Sequence, residues 1–264
     1  MTDTARHLLA LMAAALVLSS VGCGNIEPEP LTDEDGEAIP QPDPGEEWLF
    51  IVGADPEEEI STDAVLALEF NQYLDVTTFS NFSTMRLVSG GRNAFGRVDY
   101  RMTRKTLLFQ PYNRLDNKLT YSVDWLAEDI ESVIGSPLHP RSAFPFFEAR
   151  SDLDPVESFE RPDVSWDDVA PLFQSYCNDC HGEDRWGLPE LTPDGMIGTP
   201  STQTDTRLVE PYAPVRSYLM HKILPDYPLR RHTVQPPPYS EHAGALSTED
   251  IELIEHWIAG GARD

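Results

Sequence analysis

The sequence predicts a multidomain chain, an all-β sandwich over residues 48–150 followed by an all-α domain over residues 165–264. Three observations carry this. Apolar residues alternate with polar ones in short runs through the first segment, the signature of half-buried strands. Two stretches in the second segment repeat apolar residues at helical spacing. Acidic, Pro-containing segments with little to bury precede each part, and such segments cannot build a core.

Residues 1–22 combine Arg6 and His7 with an apolar run from Leu8 to Leu18 and the small residues Ser19, Ser20 and Gly22. This is the pattern of a secretory signal, and the run is too short to span a bilayer. Ser20-Val21-Gly22-Cys23 resembles a bacterial lipobox, with Ser20 where Leu is more usual. The resemblance implies cleavage before Cys23 and a diacylglycerol on its thiol, which anchors the chain by acyl burial. Gly24 is not the Asp that retains some lipoproteins at the inner membrane. The expected address is therefore the bacterial cell envelope, lipid-anchored at the outer membrane on its periplasmic or surface face.

Residues 23–47 hold Glu27-Pro28-Glu29-Pro30 and Pro40-Gln41-Pro42-Asp43-Pro44 and read as a disordered tether. Over residues 48–150, Leu66, Leu68 and Phe70 share a face, as do Val98 and Tyr100, Leu107 and Phe109, and Tyr121, Val123 and Trp125. Ser89-Gly90-Gly91 and Asn113-Arg114-Leu115-Asp116-Asn117 supply turns. His139, between prolines, reads as a solvated loop residue. Residues 151–164 carry Asp152, Asp154, Pro155, Glu157, Glu160, Pro162 and Asp163, and read as a linker.

Residues 165–264 open on Ser165-Trp166-Asp167-Asp168, a helix-cap pattern, with Val169, Leu172, Phe173 and Tyr176 on one face. A second helix opens at Ser247-Thr248-Glu249-Asp250, shows Ile251, Ile254, Trp257 and Ile258 on one face, and ends at Gly260-Gly261. Just after the first of these helices stands Cys177-Asn178-Asp179-Cys180-His181, the attachment pattern of a c-type haem. The spacing suits that chemistry. Each thiol can add to one haem vinyl group, and the adjacent His181 then lies beneath the iron as proximal ligand. A structural disulfide, half a zinc site or a redox dithiol are the other uses of a CxxC pair, but a zinc site needs two more ligands and the chain has no second Cys pair.

The formal charge of −26, from 45 acidic against 19 basic side chains, argues against nucleic acid as a partner and favours a basic redox protein. Solubility of an exported protein is an equally good reason for the acidity.

Two resemblances extend these readings. The strand segment resembles bacterial Ig-like domains, through Glu69-Phe70-Asn71, Thr106-Leu107-Leu108-Phe109-Gln110-Pro111, Leu119-Thr120-Tyr121-Ser122-Val123 and Phe144-Pro145-Phe146. Residues from Trp166 to Ala262 resemble a class I cytochrome c domain of the type common in planctomycete and myxobacterial exported proteins. The matching pieces are Phe173 with Cys177, Cys180, His181 and Gly182; Ser217-Tyr218-Leu219 with Lys222-Ile223; and Leu246-Ser247 with Glu249-Asp250-Ile251, Ile254, Trp257-Ile258 and Gly261-Ala262. The resemblance implies one covalent haem c and an all-α cytochrome fold.

It also implies a sixth iron ligand from a Met-Pro-Pro stretch, where this chain has Val234-Gln235-Pro236-Pro237-Pro238. Three outcomes are open. His232 supplies the ligand, Met220 or His242 does so from farther away, or Gln235 leaves the iron open or weakly ligated. The resemblance points Leu219 at the haem and leaves Met220 and His221 nearer the surface. Met196 and His256 have little claim to the iron, and His256 reads as exposed. The expected function is single-electron transfer by an envelope-anchored monohaem protein, a carrier rather than an enzyme. A gas sensor or weak peroxidase with an open iron is one alternative, and a non-redox adhesion lipoprotein is the other.

Overall fold

Strand-forming sequence dominates the first half of the chain, and the computed structural model shows how it closes. The structure describes residues 48–127, 129–139, 146–154, 158–181, 190–229 and 246–264. Among them are eight strands: β1 Ile51–Asp55, β2 Glu59–Ser61, β3 Leu66–Phe70, β4 Met85–Ser89, β5 Arg92–Arg101, β6 Thr106–Pro111, β7 Thr120–Trp125 and β8 Phe146–Arg150. They join in the order β1-β3-β6-β5-β4-β7-β8-β2, with β1 and β2 as the free edges. Neighbours are antiparallel except β2 and β8, which run parallel.

The period-two pattern decides which face turns inward. Leu66, Leu68 and Phe70 of β3, Leu107 and Phe109 of β6, Val98 and Tyr100 of β5, Met85 and Leu87 of β4, and Tyr121 and Val123 of β7 are all buried. The ten-residue β5 pairs with β4 through its first half and with β6 through its second, so it belongs to both halves of a curled, half-barrel sheet. Gly96 lies where the partners change. A Cβ there would stand 2.3 Å from the Gln110 carbonyl oxygen and 2.6 Å from the Phe109 ring. Only glycine fits that close approach.

The second half carries short helices: α1 Trp166–Tyr176, α2 Asn178–His181, α3 Pro193–Met196, α4 Tyr218–Ile223 and α5 Thr248–Ala259, with a 3₁₀ turn at Pro214–Arg216. Both expected caps are present. The Ser165 N–H donates to Asp168 Oδ2 at 2.8 Å, and at the other helix the Asp250 N–H donates to Ser247 Oγ at 3.1 Å while the Ser247 N–H donates to Asp250 Oδ2 at 2.9 Å.

The expected fold class, an all-β Ig-like sandwich followed by an all-α cytochrome c domain, is corrected by this architecture. The described chain is β-rich, its longest helix has 12 residues, and two of its helices have only four. Pro200, Pro211, Pro214, Pro225 and Pro228 explain much of this, since each lacks the N–H that a continuing helix needs. Nor do the helices bury their stripes only against one another. One buried cluster runs from Leu66, Phe109 and Phe147 of the sheet to Phe173, Ile251 and Trp257 of the helices. The described residues, from Trp48 to Asp264, form one compact unit.

The seam between sheet and helices is polar and specific. The tip of the β5–β6 hairpin presents the Met102 and Thr103 N–H groups to the Glu255 carboxylate of α5, at 2.9 and 2.8 Å. Arg161 donates to Glu255 at 3.1 Å, to Asp99 at 3.0 Å and to the Tyr100 carbonyl at 2.8 Å. Nearby, Lys105 pairs with Asp226 at 2.5 Å, the Tyr73 hydroxyl donates to the same carboxylate, and Arg104 pairs with Glu252. Glu255 is only 1% exposed. Burial pushes its carboxyl pKa up, but the Arg161 charge and the two backbone donors outweigh that and hold it below the usual range.

Candidate functional site

The Cys177-to-His181 segment is built on the end of α1. That helix is fixed through Trp166 and Phe173, whose rings stack at 5.1 Å, and both rings lie against Trp257 of α5 at 5.3 and 6.3 Å. Phe173 and Trp257 are fully buried. The Arg263 carbonyl completes the crossing by accepting from the Trp166 N–H and from Trp257 Nε1, each at 2.9 Å.

Cys177 caps α1. Its N–H donates to the Phe173 carbonyl at 3.0 Å, and its own carbonyl accepts from the N–H groups of Cys180 and His181 at 3.1 and 3.0 Å. The turn of α2 therefore brings Cys177, Cys180 and His181 together in one tight loop, as their spacing predicts. Both thiols are free. Cys177 is half-buried against the shared core, Cys180 is exposed, and His181 is half-buried. Burial, with Cys180 close by, pushes the Cys177 thiol up to about 11.

Other candidates are placed differently from expectation. Met220 and His221 are buried, at 0% and 7% exposure, while Leu219 is half-exposed. His221 is fixed by Nε2 lying 2.8 Å from the Val215 carbonyl and by stacking on Tyr227 at 4.2 Å. Burial lowers its pKa against the opposing effect of the Val215 contact. Met196 is buried, and His256 is half-buried against Arg101. His139, expected in solvent, is 5% exposed between Trp48 and Phe50, with ring centroids at 5.0 and 4.8 Å. Cys23, His232, Gln235 and His242 lie outside the described residues, as do the signal segment and the tether. Among the described residues no group of three or more His, Cys, Asp or Glu side chains could hold a metal ion, and no helix is long and apolar enough to cross a membrane.

Sequence reasoning missed the Glu255–Arg161–Asp99 network and the groove beside it, a cavity of about 940 Å³ between the outer face of β1, β3 and β6 and helix α5. A signal did exist for the network. Glu255 falls among Ile251, Ile254 and Ile258 on the buried stripe of α5, and an acid in a core position implies a buried partner.

No protein-family model matches the chain, and no curated protein does. Fifteen solved chains have similar backbones over part of its length. The S-layer protein rSbsC matches 40% of this chain at 13% identity and a TM-score of 0.32, and this chain covers 14% of it. CopC from Methylosinus trichosporium OB3b matches 42% at 17% identity and a TM-score of 0.28, with 99% of that chain covered. E. coli alpha-2-macroglobulin matches 39% at 17% identity and a TM-score of 0.30, with 6% of that chain covered. The chain thus spans about a seventh of the S-layer structure's length.

The eight-stranded sheet, the short helices and the core they share define a β-rich protein. The resemblance to a class I cytochrome c domain behind a bacterial Ig-like domain is accordingly corrected. No family is assigned in its place.

Proposed function

We propose that this chain is a single-electron carrier of the cell envelope that holds one haem c covalently through Cys177 and Cys180, with His181 as proximal iron ligand. The observation that carries the reading is the pair of free thiols one helical turn apart with the imidazole directly after the second. That donor set fits the group. The chain would need to supply only two thiols for thioether bonds and an imidazole for the iron, so no cluster of three metal-binding side chains would be required.

When bound, the haem supplies a one-electron iron couple. The chain's own residues do the rest. Cys177 and Cys180 fix position, His181 presents a ring nitrogen, and the Trp166–Phe173–Trp257 packing holds α1 so that the loop has a rigid base. The β-rich body and the acidic tether serve as spacer, with Cys23 as lipid anchor and a basic protein as redox partner.

The test is the ultraviolet–visible spectrum of the mature protein, oxidised and reduced, with carbon monoxide added to the reduced form. A covalently retained chromophore with a low-spin reduced spectrum unmoved by the gas supports a carrier with a second protein ligand, His232 first among the candidates. A high-spin spectrum that shifts with the gas overturns the carrier in favour of a sensor or weak peroxidase with Gln235 leaving the iron open. Absence of covalent chromophore after expression with a maturation system overturns the haem reading altogether.

A further inference from the structure

Two aromatic rings stand in solvent on the outer face of the sheet. Phe95 of β5 and Tyr112, just past β6, oppose each other across the strands: Gly96 pairs with Pro111, and the Tyr112 N–H donates to the Phe95 carbonyl at 2.9 Å. Directly opposed residues share a face, and these two are 48% and 54% exposed. Arg86 of β4, paired with Asp124, lies 5.9 Å from the centre of the Phe95 ring and steadies it by cation–π attraction. Beside the two rings, between the start of β5 and the β6–β7 loop, is a cleft of about 260 Å³.

The cleft is preformed and electrically neutral. Its loop is pinned at three successive residues: Arg114 pairs with Asp63, the Leu115 N–H donates to the Thr62 carbonyl at 2.9 Å, and the Asp116 N–H donates to the buried Tyr121 hydroxyl at 3.0 Å. Both arginines that line it already hold a carboxylate, Arg114 that of Asp63 and Arg92 that of Asp116 at 2.5 Å. The Asn93 and Asn113 amides and the Tyr112 hydroxyl, by contrast, make no side-chain hydrogen bond among the described residues.

We propose that this cleft binds uncharged hexose units of a polysaccharide. The site is independent of the haem reading. A pyranose ring has a face of C–H groups and a rim of hydroxyls. The C–H face is apolar and slightly positive, which suits the negative face of an aromatic ring. Each hydroxyl donates and accepts, as an Asn amide does. The volume is under the roughly 300–1,000 Å³ of a drug-sized site, so the cleft seats a single ring while the rest of the polymer runs over the open face. A nucleic-acid base would also stack, but its phosphate meets no unpaired arginine in this cleft and a chain of net charge −26. A protein partner needs about 800 Å² on each side, whereas a small cleft edged with free amides fits a small hydroxylated unit.

The test is native electrophoresis of the full-length protein in gels containing dextran, mannan or hydroxyethylcellulose, all soluble and uncharged. At least one of these is expected to retard the protein, and Phe95→Ala and Tyr112→Ala are each expected to weaken that binding roughly tenfold. Both side chains are exposed, so far-ultraviolet circular dichroism should match wild type. Phe82→Ala, which removes an exposed ring outside the cleft, is expected to change nothing. Absence of retardation in all three gels overturns the proposal, as does retardation that survives both cleft substitutions. Retardation by polygalacturonate alone overturns it in favour of an acidic ligand. A concentration-dependent dimer on size exclusion that Phe95→Ala abolishes, without retardation, overturns it in favour of a second copy of the chain.

Discussion

Glu255 is the residue on which most of the seam converges. Its carboxylate satisfies two backbone donors and Arg161 in a place solvent does not reach. Removing one member of a buried ion pair leaves the other uncompensated, at a cost of about 3–5 kcal/mol. Glu255→Ala is therefore expected to lower the urea midpoint by that much free energy, measured at pH 7. The histidines make stability depend on pH. His221 and His256 both have folded pKa values below the usual one, His221 through burial and His256 through burial and the charges of Arg161 and Arg101. A group with a depressed folded value binds fewer protons folded than unfolded. Stability is thus fully present above the unfolded histidine pKa, about 6.5, and is lost as pH falls through the folded values. Thermal midpoints should hold above pH 6.5 and decline below it, with a shallower decline in His221→Gln. None of this was legible from His221 itself. Its burial follows from Tyr227, Tyr218 and the Val215 carbonyl, which lie near in sequence but give no periodic signal.

At the scale of elements, the sequence was most legible where one physical rule acted alone. Helices α1 and α5 begin at their Ser caps because the cap side chains and the apolar stripe agree. Ser247→Ala should cost about 1 kcal/mol, the usual worth of such a cap, read by chemical denaturation. The strands around Leu66, Val98, Leu107 and Tyr121 were likewise visible as alternation. Their pairing was not, because the pleat identifies a face and says nothing about which strand lies beside it. Gly96 shows the limit, since nothing in Phe95-Gly96-Arg97 announces that β5 changes partners there. Gly96→Ala is expected to destabilise by roughly 1–3 kcal/mol, because the backbone carbonyl of Gln110 cannot move aside as a flexible side chain could. The Cys177–Cys180–His181 loop was legible as a unit because all its residues fall within five consecutive positions. The surroundings of Met220 required the tertiary fold.

For the whole molecule, the shared core and the Glu255 seam imply that sheet and helices unfold together. Fluorescence, from Trp48 and Trp125 in the strand half and Trp166 and Trp257 in the helical half, and far-ultraviolet circular dichroism should report one coincident transition. Two separated transitions would show that the seam does not couple them. The net charge of −26 gives a further expectation for the proposed carrier: adding salt should slow electron exchange with a basic partner, through screening of attraction beyond about 10 Å at 0.1 M. A rate independent of salt would place recognition elsewhere than in charge.

The free edges of the sheet have a consequence for crowding at high concentration. Strand β1 breaks register between Ile51 and Gly53, and β2 is three residues long with Glu59 bound to Arg150 at 2.8 Å. Irregular, short and charged edges are poor templates for a neighbouring copy. Copies crowded side by side should therefore stay discrete instead of polymerising strand to strand, and light scattering of concentrated protein should show no fibre growth.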